Sequence, residues 1–309
     1  MNNKKPKVIV IVGPTASGKS DLAVEIALFI KKNSKKFGFR GAEIISADSR
    51  QVYKYLDIGS NKITKKETKG IPHHLLSVAS PKKTFSVARY QKLAQKTIKQ
   101  IIKRKNIPII CGGTGLYIDS LIFGYKFPDV KPNAKLRNKL EKMTTSELFE
   151  LLKSKDKKRA KNIDRYNRKR LIRALEIVMA LKKVPKLEKE EQFDALWIGL
   201  KIDKATLKEK ITKRLNLRIK KGLIAEVKKL RYKIGLSWKR LESFGMEYKY
   251  VSYFLQSKID KQEMIEKIIK ESLLYAKRQM TWFKRNQKIS WIKDKKESLN
   301  LIEGFLKER

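Results

Sequence analysis

The chain carries one cysteine, Cys111, and two histidines in 309 residues. A lone cysteine excludes a disulfide framework and any cysteine-rich zinc module. His73 and His74 are adjacent, and neighbours on an extended segment point to opposite faces. With no third histidine to join them, they read as structural or substrate-lining and not as a metal pair. No apolar run approaches the roughly 20 residues needed to span a bilayer, so no membrane partner is expected. The apolar stretch at residues 8–12 is too short for a signal-peptide core and no small-residue cleavage site follows, which points to a first strand and a cytoplasmic location. Acidic residues are few, 31 against 75 basic ones, for a formal charge of +44. Such a field attracts nucleic acid or anionic membrane. Lysine is spread through the whole chain, however, as a biased base composition alone produces, so charge by itself decides little.

What is present is enough apolar residue, 41 %, for one sizeable core. Residues 8–12 form a β-branched run ending at glycine, a buried strand by length and flanks. Residues 19–32 have apolar positions at helical spacing. A second strand is predicted at 43–46, a long amphipathic helix at 85–105, a third strand at 107–111 and a helix from Leu116. This alternation predicts an α/β fold with a parallel sheet flanked by helices. Near Lys126 the rhythm changes. After a proline-marked boundary at 127–132 only helical patterns follow, to about Lys183. A strand returns at 196–202, then three helical stretches and a short strand at 289–292. The expected organisation is a core of residues 1–128 and 191–309, with a helical insertion at 129–190. A monomer is expected.

Residues 13–20 read GPTASGKS, between a predicted strand and a predicted helix. That is the context of a phosphate-binding P-loop, so the core is expected to be P-loop NTPase-like. Gly13 and Gly18 let backbone N–H groups turn inward around phosphate oxygens, with Pro14, Thr15, Ala16 and Ser17 forming the crest. Lys19 supplies a point charge, and the hydroxyl of Ser20 at the helix start is placed to hold Mg²⁺. The loop alone does not name a reaction; a kinase or NTPase is its default use. Asp48 ends the second strand, on the side of a parallel sheet that faces ligand. It is a candidate general base or metal partner, or simply a cap of the next turn. Gly112-Gly113-Thr114-Gly115 follows the third strand, which lacks the aspartate an NTPase would place there. Lys277, Arg278, Lys284 and Arg285 crowd around Trp282, a composition suited to RNA backbone and unstacked bases. Arginine is scarce in this chain, so the cluster at 165–173 (RYNRKRLIR) suggests phosphate clamping.

Several segments together resemble one family, the tRNA dimethylallyltransferases (tRNA isopentenyltransferases). They are GPTASGKS at 13–20, ISADSRQVYKYLDIGSNK at 45–62, IPHHLL at 71–76 and FSVARY at 85–90. CGGTGLYI at 111–118, NRKRLIRALEI at 167–177 and YAKRQMTWFKR at 275–285 complete the set. They keep the family's order and cover nearly the whole chain. The resemblance implies transfer of a dimethylallyl group from dimethylallyl diphosphate to N6 of the adenine 3′ of the tRNA anticodon, position 37. The P-loop would then hold a departing diphosphate with Mg²⁺. Asp48, Thr114, Lys19 and Arg214 are implied as catalytic residues. The tRNA anticodon stem-loop would be held by Asp48, Ser49, Arg50, Gln51, Thr114 and Arg137, by Lys169, Arg170, Leu171, Ile172 and Arg173, and by Lys277, Arg278, Gln279 and Trp282. The insertion would thus be a tRNA-binding domain. The chain departs from the family pattern at Lys210 and Lys169, and at Met246-Glu247 in the segment 245–249. Two other readings remain: a small-molecule or nucleotide kinase on the same fold, and a non-enzymatic basic RNA-binding protein.

Overall fold

The structure is a computed structural model and describes residues 5–307. The chain runs through β1 (Lys7–Val12), α1 (Lys19–Lys32), α2 (Ser34–Phe37), β2 (Gly41–Ser46), β3 (His73–His74), α3 (Val87–Lys103), β4 (Asn106–Cys111) and α4 (Gly115–Ile122). Next come α5 (Ala134–Leu140), α6 (Thr145–Lys155), α7 (Lys157–Lys161) and α8 (Arg168–Leu181). The last part holds β5 (Asp194–Leu200), α9 (Lys204–Lys220), α10 (Leu223–Tyr232), α11 (Trp238–Glu242), α12 (Met246–Leu255), α13 (Lys261–Phe283), β6 (Ile289–Ile292) and α14 (Lys295–Lys307). Cα proximity groups these into two compact units, Gly124–Glu190 and the remainder on either side of it.

In the larger unit the six strands form one sheet in the order β3-β2-β4-β1-β5-β6, every pair parallel. The fold is α/β of the P-loop NTPase-like kind. β-Branched residues dominate β1, and period-two alternation divides it between two helical layers. Val8, Val10 and Val12 enter the core on one face; Ile9 and Ile11 enter that on the other. The first layer receives α3, α4 and the helices between β5 and β6, and the second receives α1 and α14. Burying a Val or Ile side chain is worth about 1.5–3 kcal/mol, so a one-residue slip of β1 would misplace five fully buried side chains.

Two differences from the expected elements stand out. β3 was not foreseen, because two half-buried residues beside Ile44 and Ile45 carry no periodic signal. Five helices, and not three, separate β5 from β6. Gly222 and Gly245, both at positive φ, break what looks like continuous helical pattern.

The smaller unit has its own core, in which Leu140, Leu148, Leu152, Leu171 and Leu175 meet. Its helices are sharply started: Thr144 and Glu147 form a capping box on α6, and Asn167 caps α8. Among the described residues no helix is long and apolar enough to cross a membrane.

Candidate active site

The carboxyl ends of β1, β2 and β4 open on one cavity of about 420 Å³. The P-loop follows β1, Asp48 follows β2, and the glycine turn follows β4. Thr15, Ala16, Lys19, Ser20, Asp48, Ser49, Arg50, Gln51, Gly112 and Gly113 therefore share a wall. Gly18 caps α1 in the left-handed region, φ 88°, a conformation that costs an L residue about 1–2 kcal/mol. It delivers Lys19 at the helix N-terminus, where backbone dipoles favour an anion.

Cations converge on this wall. Lys19 turns its ammonium back onto the Pro14 carbonyl at 2.5 Å. Burial lowers its pKa to about 8, and the neighbouring Arg214 pushes the same way. Arg214 reaches in from α9 and donates Nη2–H to Thr15 Oγ1. Burial and the charge of Arg218 lower its pKa to about 10. Arg218, one helical turn on, donates Nη1–H to the Gly59 carbonyl at 2.8 Å and to Glu247 at 3.0 Å. The Nε–H groups of Arg214 and Arg218 are both buried and lack a partner. A buried unpaired donor costs about 1–3 kcal/mol, and both residues line the cavity.

The same cavity is lined by the candidate base. Asp48 Oδ1 accepts from the N–H groups of Arg50 at 2.7 Å and Gln51 at 3.3 Å. One oxygen thus caps the following turn, and the residue also lines the cavity. Thr114 Oγ1 accepts from Ser49 N at 3.1 Å and its hydroxyl donates to Ser49 Oγ at 3.4 Å. Tyr275 of α13 also lines the cavity; burial, then the charge of Asp48, pushes its phenol up to about 12. Cys111, at the end of β4, is buried and its thiol is raised to about 12 by that burial.

The loop after Asp48 is held from below. Glu226 accepts from the N–H groups of Asp57, Ile58 and Gly59 at 2.9, 2.7 and 3.0 Å, and from the Tyr248 hydroxyl at 2.9 Å. Gln51 is occupied too: it accepts from Ser46 Oγ at 2.9 Å and donates to Asn61 O at 3.1 Å. Its side chain braces the loop. His73 binds the Ile71 carbonyl and His74 binds Glu43, so both histidines are structural.

The remaining predicted contacts separate into exposed and enclosed groups. Lys277 and Arg278 are exposed on α13, and Arg278 lines the cavity. Trp282 donates Nε1–H to Asp119 at 2.8 Å. Gln279, expected on tRNA, lines the cavity and is buried, with both ends of its amide bound to protein. In the insertion Lys169 and Arg170 are exposed. Leu171 and Ile172, also expected on tRNA, are 0 % and 8 % exposed and belong to the insertion's core. Helical spacing gives the physical reason: in KRLIR, two of five positions must face inward. Arg137 forms a bidentate pair with Glu176 at 2.7 and 2.8 Å, and Arg173 joins it at 3.3 Å. Sequence reasoning missed Arg218, Glu247 and Tyr275. Arg218 lies four residues after Arg214, a spacing that could have revealed it; Glu247 and Tyr275 gave no signal of their own beyond lying in segments already marked.

Among the described residues no cluster of three or more His, Cys, Asp or Glu side chains could hold a metal. Ser20 and Asp48 offer oxygen donors only, which suits a hard cation such as Mg²⁺ completed by ligand phosphate oxygens.

The model of the IPP transferase family matches residues 51–286. A tRNA dimethylallyltransferase of Caldanaerobacter subterraneus is 40 % identical, over 92 % of this chain and 91 % of its own. That of Staphylococcus epidermidis is 39 % identical, over 96 % and 90 %. Among solved structures, the full-length tRNA isopentenylpyrophosphate transferase of Bacillus halodurans superposes with TM-score 0.72 at 33 % identity, covering 98 % of both chains. A eukaryotic dimethylallyltransferase acting on tRNA gives TM-score 0.74 at 26 % identity, over 90 % of this chain and 70 % of that one. On the family match and these identities over nearly its whole length, the chain belongs to the IPP transferase family.

Proposed function

We propose that this chain transfers a dimethylallyl group from dimethylallyl diphosphate to N6 of the adenine 3′-adjacent to the anticodon, position 37, of tRNA. The observation that carries the reading is one cavity shared by the P-loop, Asp48 and the buried arginines Arg214 and Arg218. Its cationic groups suit a diphosphate, and Asp48 suits a weak nucleophile. The exocyclic amine of adenine has its lone pair delocalised into the ring. It attacks the allylic C1 as the C–O bond to diphosphate breaks, and its proton passes to Asp48 Oδ2. Lys19, Arg214 and the backbone amides of residues 16–20 neutralise the leaving group where negative charge develops. Mg²⁺ held by Ser20 would supply further charge neutralisation. Thr114 holds the Ser49 amide and so keeps the Asp48 turn in place.

The target adenine must leave its stack to enter the cavity. Exposed Lys277 and Arg278 beside it, and Lys169 and Arg170 of the insertion, are the basic groups available to the anticodon stem-loop. The kinase alternative draws no support from the relatives named above.

Incubation with Mg²⁺, dimethylallyl diphosphate and unmodified tRNA, followed by mass spectrometry of the digested RNA, should yield N6-isopentenyladenosine. Absence of product, with ADP formed from ATP, would overturn the proposal.

A further inference from the structure

Gln279 lies on α13, 5 % exposed, and uses both ends of its amide. Oε1 accepts from Thr15 N in the P-loop at 2.8 Å, and Nε2 donates to the Gly113 carbonyl in the glycine turn at 2.8 Å. A Cβ at residue 113 would lie 2.2 Å from Nε2, so glycine is what admits the amide. The chain of contacts extends both ways. Thr15 is held on its hydroxyl by Arg214. Gly113 precedes Thr114, whose amide donates to Ala47 O at 3.1 Å and whose hydroxyl accepts from Ser49 N at 3.1 Å, the residues on either side of Asp48. Register pairing of β1 with β4 ends at Ile11 and Cys111, supplemented by Gly112 N–H on Ile11 O at 3.3 Å. Past that point the Gln279 side chain spans from one loop to the other.

We infer that Gln279 is a positioning residue of the transfer, fixing the separation between the loop that grips the leaving diphosphate and the turn that aims Asp48. The inference rests on the transferase reading above. Displacement chemistry needs its reacting atoms about 3–3.5 Å apart and in line, and a shift of about 1 Å can cost about 10²-fold in rate. Each end of a doubly bonded amide transmits a shift of one loop to the other. Because the Thr15 amide is already taken by Gln279, it is not a phosphate donor in this arrangement. Loss of Gln279 should therefore alter geometry more than donor affinity.

Two variants test it in the full chain. Gln279→Met keeps length and removes both bonds; Gln279→Glu keeps the acceptor for Thr15 N but sets a carboxylate against the Gly113 carbonyl. Both should lower the single-turnover rate of isopentenyladenosine formation by about 10²-fold, with dissociation constants for donor and tRNA within about threefold of wild type. If Gln279→Met fails to fold, judged by its melting transition, Gln279→Glu carries the same comparison. A rate near wild type in a folded variant overturns the inference. So does a loss confined to donor affinity, which would make Gln279 part of the phosphate cradle, or a loss confined to tRNA affinity, which would make it an RNA contact. No product from the wild-type chain would sink the transferase reading itself, a different failure.

Discussion

In the insertion, Arg137 and Arg173 converge on Glu176, a carboxylate with no exposed side-chain surface, which also accepts the Asn133 amide at 3.0 Å. In the core, Arg214 and Arg218 converge on a cavity and keep buried Nε–H groups without a partner. The same residue type does opposite work in the two regions. Burying a carboxylate raises its pKa, yet the hydrogen bonds from Arg137, Asn133 and Arg173 outweigh that and leave Glu176 below its ordinary value. There the guanidinium charge is already neutralised and serves to hold α5 to α8. Around the cavity, burial without full pairing depresses Lys19 and Arg214 instead. A cluster of arginines in sequence therefore does not distinguish a binding surface from an internal ion pair; the partner decides.

The contrast can be broken or sharpened by substitution. Lys19→Ala should lower the rate of transfer by about 10²–10³-fold, the worth of one charge-stabilising donor in a preorganised site. Single-turnover kinetics would show it, and a loss under about threefold would remove Lys19 from the leaving-group role. Asp48→Ala should cost about 10²-fold through loss of the general base, with donor affinity measured by calorimetry little changed. An unaltered rate would leave Asp48 with only the turn-capping role.

Glu176→Gln addresses the other side of the comparison. Breaking a buried pair costs about 3–5 kcal/mol, but the Arg137 and Arg173 side chains are 41 % and 36 % exposed. Solvent screening brings the expected loss to about 2 kcal/mol, measured by urea denaturation. The pH dependence has a definite sign. Glu176 is depressed in the folded state, so its contribution is present above the ordinary carboxylate pKa and fades as pH falls through the lower folded value. The wild type should lose stability on acidification in this range and the Gln variant should lose less.

Lys19 gives a smaller effect of the opposite kind. Its pKa is about 8 in the ligand-free chain, and a bound diphosphate would raise it. Donor affinity should then be level below that pH and weaken above it, by up to about tenfold per unit. Calorimetry in buffers of different ionisation enthalpy should detect proton uptake on binding there; none would mean that Lys19 stays charged throughout. The smallest effect is expected from Arg278→Ala. Its side chain is 61 % exposed, so tRNA affinity should fall about threefold with a shallower salt dependence.

Much of the fold was legible because burial on both sides of a strand demands an apolar run such as residues 8–12, and helices show their period. The P-loop was legible for a related reason: phosphate binding needs glycines, a lysine and a hydroxyl at set spacing along a single stretch of chain. Asp48 and Thr114 could be proposed from their places just after strands. β3 could not, because two residues at a sheet edge carry no pattern, and Gly222 and Gly245 were too isolated to mark helix ends.

Sequence by itself determined the parallel α/β core, the phosphate-binding loop and the resemblance to a family of tRNA-modifying transferases. All of these depend on local spacing or on short contiguous motifs. Tertiary structure alone decided which polar groups are free and which are already bound. Gln279 and Gln51 brace loops, Leu171 and Ile172 fill a core, Arg137 neutralises Glu176, and Arg218 joins Arg214 at the cavity. Hydrogen-bond partners 39, 166 or 199 residues apart in the chain leave no mark on local pattern. Whether a side chain can serve a ligand depends on such partners.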